Sequence, residues 1–124
     1  MRARERERLQ RKLDTEMRPF RRAGMDENAT NGLLRAIRTA LRVPVLEIAA
    51  QMGVNRSGVF DLEARELKSS TTLRSMSRMA EAMGCKVVYG IVPKYGQTLE
   101  ELAEVREWQR RAGNRGRRDQ GPGT

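Results

Sequence analysis

The sequence contains no histidine and a single cysteine, Cys85. A lone thiol cannot form an internal disulfide, and the usual nitrogen and sulfur ligands of zinc are missing. The same absences remove the commonest general base and leave one thiol as a nucleophile, and no glycine-rich phosphate loop occurs. We therefore expect no metal site, no cofactor and no enzymatic activity.

Long apolar runs are also absent, and aromatic residues make up only 4% of the 124 residues. No segment has the length needed to span a membrane, and no hydrophobic signal region follows the charged residues at the start. We expect no membrane association and a reducing, cytoplasmic location. A chain of this size with few aromatics has room for one small core, built from aliphatic residues and methionine.

Positive charge is concentrated at the two ends of the chain, which has a net charge of +9. Residues 1–22 hold nine Lys or Arg against four acids, residues 106–124 hold six against two, and residues 23–105 hold ten of each. Basic segments that flank a neutral centre suit a polyanion such as DNA or RNA, although solvated tails have the same composition.

Residues 48–63 have the pattern of two short helices separated by one glycine. Apolar residues occur at helical spacing on both sides of Gly53. Gly53 can adopt the left-handed conformation that ends the first helix, and the side chain of Asn55 can cap the second. This arrangement predicts a helix-turn-helix, whose second helix lies in the major groove of DNA.

The remaining periodicity divides the chain into four segments. The first predicted helix covers 3–18 and ends before Pro19. The last predicted helix begins at a capping box formed by Thr98 and Glu101. We predict a basic N-terminal helix and loop in residues 1–30, a helix-turn-helix DNA-binding domain in 31–83, a β-strand with a C-terminal helix for dimerisation in 84–112, and a disordered basic tail in 113–124.

Residues 85–93 are rich in β-branched side chains and end at a proline, a pattern that predicts a strand. No second strand of similar quality occurs in the sequence, so its backbone groups need a partner from another molecule. We therefore expect two subunits to pair through this strand across a two-fold axis. The expected dimer interface consists of Val87, Val88, Tyr89 and Ile91.

The first helix carries a narrow apolar stripe of Leu9, Leu13 and Met17. Such a short helix is marginal in water unless the stripe docks on something. One possibility is the C-terminal helix, through Leu102, Val105 and Trp108, since Trp108 otherwise has no evident cover. The other is a partner protein, which would meet the arginines of the first helix.

Residues 31–83 resemble the phage-repressor (Xre/Cro-type) helix-turn-helix domain. The tract at 80–94, Ala-Glu-Ala-Met-Gly-Cys-Lys-Val-Val-Tyr-Gly-Ile-Val-Pro-Lys, narrows the resemblance. Together with the charged N-terminal helix and the closing Leu-Glu-Glu segment, it is similar to the small bacterial family called mobile mystery protein A. The fold expected is mainly α: an Xre/Cro-type helix-turn-helix bundle with flanking N- and C-terminal helices and one C-terminal β-strand for dimerisation.

In that family the gene lies beside one for a Fic-domain protein. The resemblance therefore implies a transcriptional regulator, an antitoxin-like autorepressor of an operon that encodes a Fic-domain toxin. A homodimer would bind a palindromic operator in double-stranded DNA, and the Fic-domain toxin would be a further partner. The alternative is a protein-binding inhibitor of a Fic-type partner, with weak or vestigial DNA binding.

The repressor pattern also implies roles for individual residues. Phe60 would meet a thymine methyl, or its ring would face solvent or be partly packed. Asp61 must either pair with an arginine or accept from a cytosine amine. Pro44 and Val45 stand where the family has a polar cap and a phosphate-binding glutamine, so a side-chain phosphate clamp is lost there. The expected contacts are Arg56, Ser57, Phe60 and Asp61 to bases, and Arg42, Asn55, Lys68, Ser69 and Thr71 to phosphates, with a structural ion pair between Arg38 and Glu63.

Overall fold

The computed structural model describes residues 1–119, with the side chains of the last helix described as far as residue 114. This part of the chain forms α1 (Ala3–Gly24), α2 (Leu33–Leu41), α3 (Val45–Met52), α4 (Arg56–Leu67), α5 (Leu73–Ala82) and α6 (Leu99–Asp119). The chain divides into two compact units. Unit 1 combines Met1–Glu27 with Gly90–Thr124 and contains α1 and α6, whereas unit 2 is Asn28–Tyr89 and contains α2 to α5. The expected mainly α class is confirmed.

The strand predicted at 85–93 is wrong, because residues 1–119 contain no β-strand. A strand needs a neighbour to pair with its backbone groups, and none of the described residues offers one. Of the four residues expected to form a paired interface, Val87 is half-buried, whereas Val88, Tyr89 and Ile91 are exposed. The dimer interface expected at these four residues loses the strand on which it was based, and as a contact between subunits it stays a prediction.

Gly90 gives a second reason why the segment departs from a strand. A Cβ atom at this position would lie 2.5 Å from Cγ of Phe20, so the glycine backbone packs directly against the aromatic ring. Close packing of backbone on a ring is a use of glycine that also weakens strand formation. At Gly90 the backbone is therefore positioned by its contact with Phe20 in unit 1, and not by the alternation of side chains that a regular strand has.

Unit 2 is a bundle in which α3 and α4 pack against each other and against α5, and α2 packs against α4 and α5. The apolar faces of the four helices meet in a small core of aliphatic residues and methionine, as the composition predicts. The N-terminus of α2 is capped from a distance, because Leu33 N–H and Leu34 N–H donate to Glu66 Oε2 and Oε1 at 2.9 and 2.8 Å. The buried apolar side chains of the core are Leu34, Ile48, Ala49, Val59, Leu62, Met79 and Met83.

Unit 1 is built on the packing of α1 against α6. Of the two possibilities for the first helix, docking on the C-terminal helix is therefore confirmed. The Asp14 carboxylate accepts hydrogen bonds from Leu99 N–H at 2.7 Å and Glu100 N–H at 3.3 Å, and its Oδ1 lies 3.5 Å from the guanidinium of Arg21. A charge at the start of α6 is favourable because the helix N-terminus is positive.

The capping box at the start of α6 is also confirmed. Glu101 N–H donates to Thr98 Oγ1 at 3.1 Å, and Thr98 N–H donates to Glu101 Oε1 at 3.3 Å. These reciprocal bonds satisfy two backbone donors that have no partner within the helix.

Both helices of unit 1 are longer than predicted. Pro19 lies inside α1, which continues to Gly24. The contact of Phe20 with Gly90 and the pairing of Arg21 with Asp14 stabilise the turns that follow the proline, which offsets the hydrogen bond that proline cannot donate. α6 passes Gly113 and reaches Asp119, so the predicted disorder of 113–124 is wrong for residues 113–119, and residues 120–124 lie outside the described part.

Trp108 is not covered by α1, contrary to expectation. Trp108 is 70% exposed and Val105 is 48% exposed, whereas Leu99 and Leu102 on the same helix are half-buried. The apolar stripe of α6 is therefore split between a packed side and an open side.

Replacing Asp14 with Ala removes the acceptor for two backbone donors of α6. We expect the Asp14→Ala variant to lose about 1–3 kcal/mol of unfolding free energy, because charged cap interactions of this kind fall in that range. Urea unfolding followed by circular dichroism measures the change. The control is Glu104→Ala, an exposed carboxylate on α6, which should change stability little; equal losses in the two variants would contradict the capping role.

Candidate nucleic-acid interface

The turn between α3 and α4 has the conformation that the sequence predicted. Gly53 has a φ of +69°, in the left-handed region, and a Cβ added there would meet nothing within 4 Å. The requirement for glycine is therefore conformational and not steric. Val54 N–H then donates to Ala49 O at 3.0 Å, which closes the end of α3.

Asn55 begins α4 as its N-cap. Its Oδ1 accepts a hydrogen bond from Gly58 N–H at 2.8 Å. This bond satisfies one of the free backbone donors at the helix start and aligns the first turn. Asn55 was expected to contact phosphate. Phosphate oxygens accept hydrogen bonds, so this contact would use the side-chain amide N–H groups of Asn55, which the cap does not involve.

One face of α4 is open to solvent. Val59, Leu62 and Glu63 are buried on the other face of the helix, in or beside the core. Side chains three and four residues apart share a helix face, so the exposed residues form one continuous surface. The structure brings together on it all four residues expected to read bases, namely Arg56, Ser57, Phe60 and Asp61.

Phe60 and Asp61 both have contacts within unit 2. Phe60 is 45% exposed, and the guanidinium carbon of Arg38 lies 5.9 Å from the centroid of its ring. Asp61 pairs with Arg65 one turn later, with Oδ2 and a guanidinium nitrogen 2.9 Å apart. Of the two roles open to Asp61, pairing with an arginine is the one that the free chain adopts.

The ion pair expected between Arg38 and Glu63 is present and is bidentate. Arg38 Nε donates to Glu63 Oε1 at 2.6 Å, and its terminal nitrogen donates to Oε2 at 3.3 Å. The side chains of Arg38 and Glu63 are only 16% and 6% exposed. Because Arg38 also lies over Phe60, a single guanidinium links α2 to both the inner and the outer face of α4.

The residues expected to contact phosphates fall into two groups. Arg42, Lys68 and Ser69 are exposed near helix ends, and Arg42 and Ser69 have positive φ values of 56° and 54°. The assignment of Thr71 is not supported, because its Oγ1 is buried and has no hydrogen-bond partner among the described residues. In this side-chain conformation the hydroxyl faces away from solvent, so a phosphate contact would require it to rotate outward.

Sequence reasoning missed two of the polar contacts that position these helices, and for a third, the pairing of Asp61 with an arginine, it did not name the partner. Glu66 caps α2, Arg65 pairs with Asp61, and the Arg78 guanidinium donates to Met52 O at the end of α3 at 2.8 Å. The Arg65 pair has the i,i+4 spacing of a helix pair and could have been read from the sequence. The other two join residues more than twenty positions apart, and no local signal marks them.

Comparison with known proteins finds no matching family model, no matching curated protein and no matching solved structure. The resemblance to the repressor and mobile mystery protein A families therefore stays a prediction. No group of three or more His, Cys, Asp or Glu among the described residues could hold a metal ion. None of the helices described is long and apolar enough to cross a membrane.

Thr71→Val tests the exclusion of Thr71 from the phosphate contacts. The substitution replaces an unpaired buried hydroxyl by a methyl group of the same shape, so stability should stay unchanged or rise by up to about 1 kcal/mol. Affinity for a random-sequence DNA duplex, measured by fluorescence anisotropy, should also stay unchanged. Lys68→Ala is the positive control and should weaken binding. A loss of affinity in Thr71→Val would return the residue to the interface.

Proposed function

We propose that unit 2 binds double-stranded DNA in a sequence-specific manner and that the protein is a transcriptional regulator. The observation that carries this proposal is the open face of α4, which follows a glycine turn and an asparagine cap and presents four side chains capable of base contact. A helix mounted in this way on a second helix fits the major groove.

The N-terminus of α3 supports the proposal independently. The N-terminus of each other helix of unit 2 is capped by a side chain. Glu66 caps α2, Asn55 caps α4 and Thr72 caps α5. α3 begins at Val45, its N-cap residue Pro44 provides no such cap, and Glu47 is the acidic residue of its first turn. Uncapped backbone N–H groups at a positive helix end are suited to a DNA phosphate, which can replace the side-chain clamp lost at Val45.

Arg56 is the residue best suited to read a base. It is exposed in the first turn of α4 and has no ion pair among the described residues. An arginine at such a position can donate two hydrogen bonds to guanine O6 and N7. In our proposal Ser57 adds a smaller polar contact, and the free part of the Phe60 ring meets a thymine methyl.

The biological role that we propose follows from the family resemblance. The protein would be an antitoxin-like autorepressor in the cytoplasm, acting on the operon that encodes it together with a Fic-domain toxin. DNA from immediately upstream of its own coding sequence is therefore the probe most suited to finding the operator. A Fic reading frame beside the gene would support this role, and selective binding to the upstream DNA would support autoregulation.

Arg56→Ala should weaken binding to the upstream DNA by about 1–3 kcal/mol, or roughly 5- to 150-fold, because one bidentate base contact is lost. Binding to random-sequence DNA should change little. Anisotropy titrations with both duplexes measure the two affinities. Lys86→Ala, which removes an exposed cation outside the helix-turn-helix, is the matched control. Equal losses on both duplexes would make Arg56 a phosphate contact.

We further propose that the regulator binds a palindromic operator as a homodimer. With the paired strand excluded, the open side of α6 is the surface we favour for this contact. Trp108 and Val105 lie three residues apart on it and are 70% and 48% exposed. Large exposed aromatic side chains are enriched in protein interfaces, where they supply much of the binding energy.

Trp108→Gln should then dissociate the dimer. Light scattering at micromolar concentration should give the mass of two chains for the wild type and of one chain for the variant. Tyr95→Gln, which alters another exposed aromatic residue of unit 1, should keep the dimer mass. A wild-type mass of one subunit would contradict this mode of assembly.

A second candidate function is the inhibition of a Fic-type partner by protein–protein contact. The pairing of Asp61 with Arg65 favours it, because the pair reduces the positive charge that α4 offers to phosphates. The salt dependence of DNA binding separates the two functions. A regulator that contacts several phosphates loses affinity steeply as salt rises, whereas a vestigial helix-turn-helix has little affinity to lose.

A further inference from the structure

The outer face of α1 carries a line of five arginines, which we call the arginine stripe: Arg4, Arg8, Arg11, Arg18 and Arg22. Their spacings of four, three, seven and four residues place them along one side of a helix. At the standard rise per residue the stripe is roughly 27 Å long. All five residues are exposed, and among the described residues none of the five side chains has an ion pair or hydrogen bond.

The acids of α1 do not neutralise this stripe. Asp14 accepts from the first residues of α6 and lies beside Arg21, and Glu16 lies 3.9 Å from Lys12. Glu7 borders the stripe without forming an ion pair with it. On α6, Glu100, Glu104 and Glu107 line a groove together with Arg11, and none of them forms an ion pair with it. Five guanidinium groups therefore lie in a row on one helix, none of them in an ion pair.

The opposite side of α1 limits what the stripe can bind. Leu13, Met17 and Phe20 are half-buried on that side in unit 1, where α1 packs against α6. A helix that binds a membrane surface inserts its apolar side into the lipid, and here that side is already used. Apolar side chains border the stripe only near its ends and middle, with Trp108 beside Arg11 and with Pro19 and Met25 beside Arg18 and Arg22. The stripe between them is charged throughout, whereas the core of a protein interface is depleted of charged residues.

We propose that the arginine stripe is a docking surface for the phosphodiester backbone of duplex DNA. Arginine presents a planar fork of donors that matches phosphate, and it stays charged at any physiological pH. Duplex DNA carries a negative charge about every 1.7 Å along its axis, so phosphates are available along the whole length of the stripe. This surface lies in unit 1 and does not depend on base reading by α4.

The test compares two triple variants with the same loss of charge. Arg8→Gln, Arg11→Gln and Arg18→Gln together remove the centre of the stripe. The control combines Lys86→Gln, Lys94→Gln and Arg106→Gln, which are exposed cations outside the stripe and outside the helix-turn-helix. Binding of the full chain to a short random-sequence duplex is measured by anisotropy over a series of potassium chloride concentrations. Circular dichroism and thermal unfolding check that both variants are folded.

The slope of log affinity against log salt is negative, and each lost phosphate contact reduces its magnitude by about 0.9. The slope of the stripe variant should therefore be smaller in magnitude than that of the wild type by roughly 2 to 3. The control should lose less than half as much. Equal slopes for the two variants would overturn the proposal, because the stripe would then contribute only net charge. An unchanged slope in the stripe variant would overturn it as well.

Two further probes identify other occupants of the stripe. Vesicles of phosphatidylcholine with phosphatidylserine, and polyglutamate, are titrated with the same proteins. Loss of binding to either probe, with DNA binding intact, would assign the stripe to a membrane or an acidic protein and overturn the proposal. Failure of the stripe is distinguishable from failure of base reading, since the Arg56→Ala comparison depends on the difference between two DNA sequences and this one uses random DNA alone.

Discussion

The Glu63 carboxylate is the group on which the candidate interface depends. It is buried within unit 2 and is held by two hydrogen bonds from Arg38. A buried carboxylate without a partner is costly, so the pair restricts α4 to orientations in which α2 supplies the guanidinium. Because the same guanidinium lies over Phe60, the constraint extends from the core to the outer face of α4. The exposed side chains of α4 are thereby presented in one defined direction.

The two units use the same device to fix their helices. In unit 2 the Glu66 carboxylate caps α2, and in unit 1 the Asp14 carboxylate caps α6. In both cases the acceptor comes from a helix distant in sequence. A chain with 4% aromatic residues has little apolar area with which to hold helices in register. Charged hydrogen bonds to helix N-termini are directional, and they supply the geometric definition that a small aliphatic core lacks.

The parts of the fold that sequence predicted are those whose cause is local. The left-handed Gly53, the Asn55 cap and the Thr98–Glu101 box each depend on residues within a few positions of one another. The errors have non-local causes. Residues 85–93 have strand propensity but no partner strand, and α1 passes Pro19 because contacts from elsewhere in unit 1 stabilise its last turns. For the candidate interface, the pattern identified the exposed face of α4, but the buried position of the Thr71 hydroxyl depends on packing that no spacing encodes.

The distribution of charge suggests how affinity and selectivity would be divided in the proposed regulator. Unit 2 holds nine Lys or Arg against five acids, and three of those acids, Asp61, Glu63 and Glu66, are engaged in bonds within the unit. Asp61 lowers the charge of the face that would read bases, which weakens its attraction to any sequence. The arginine stripe offers five unpaired charges with no means of reading bases. Affinity supplied by the stripe would be sensitive to salt and indifferent to sequence, so selectivity would depend on the few side chains of α4.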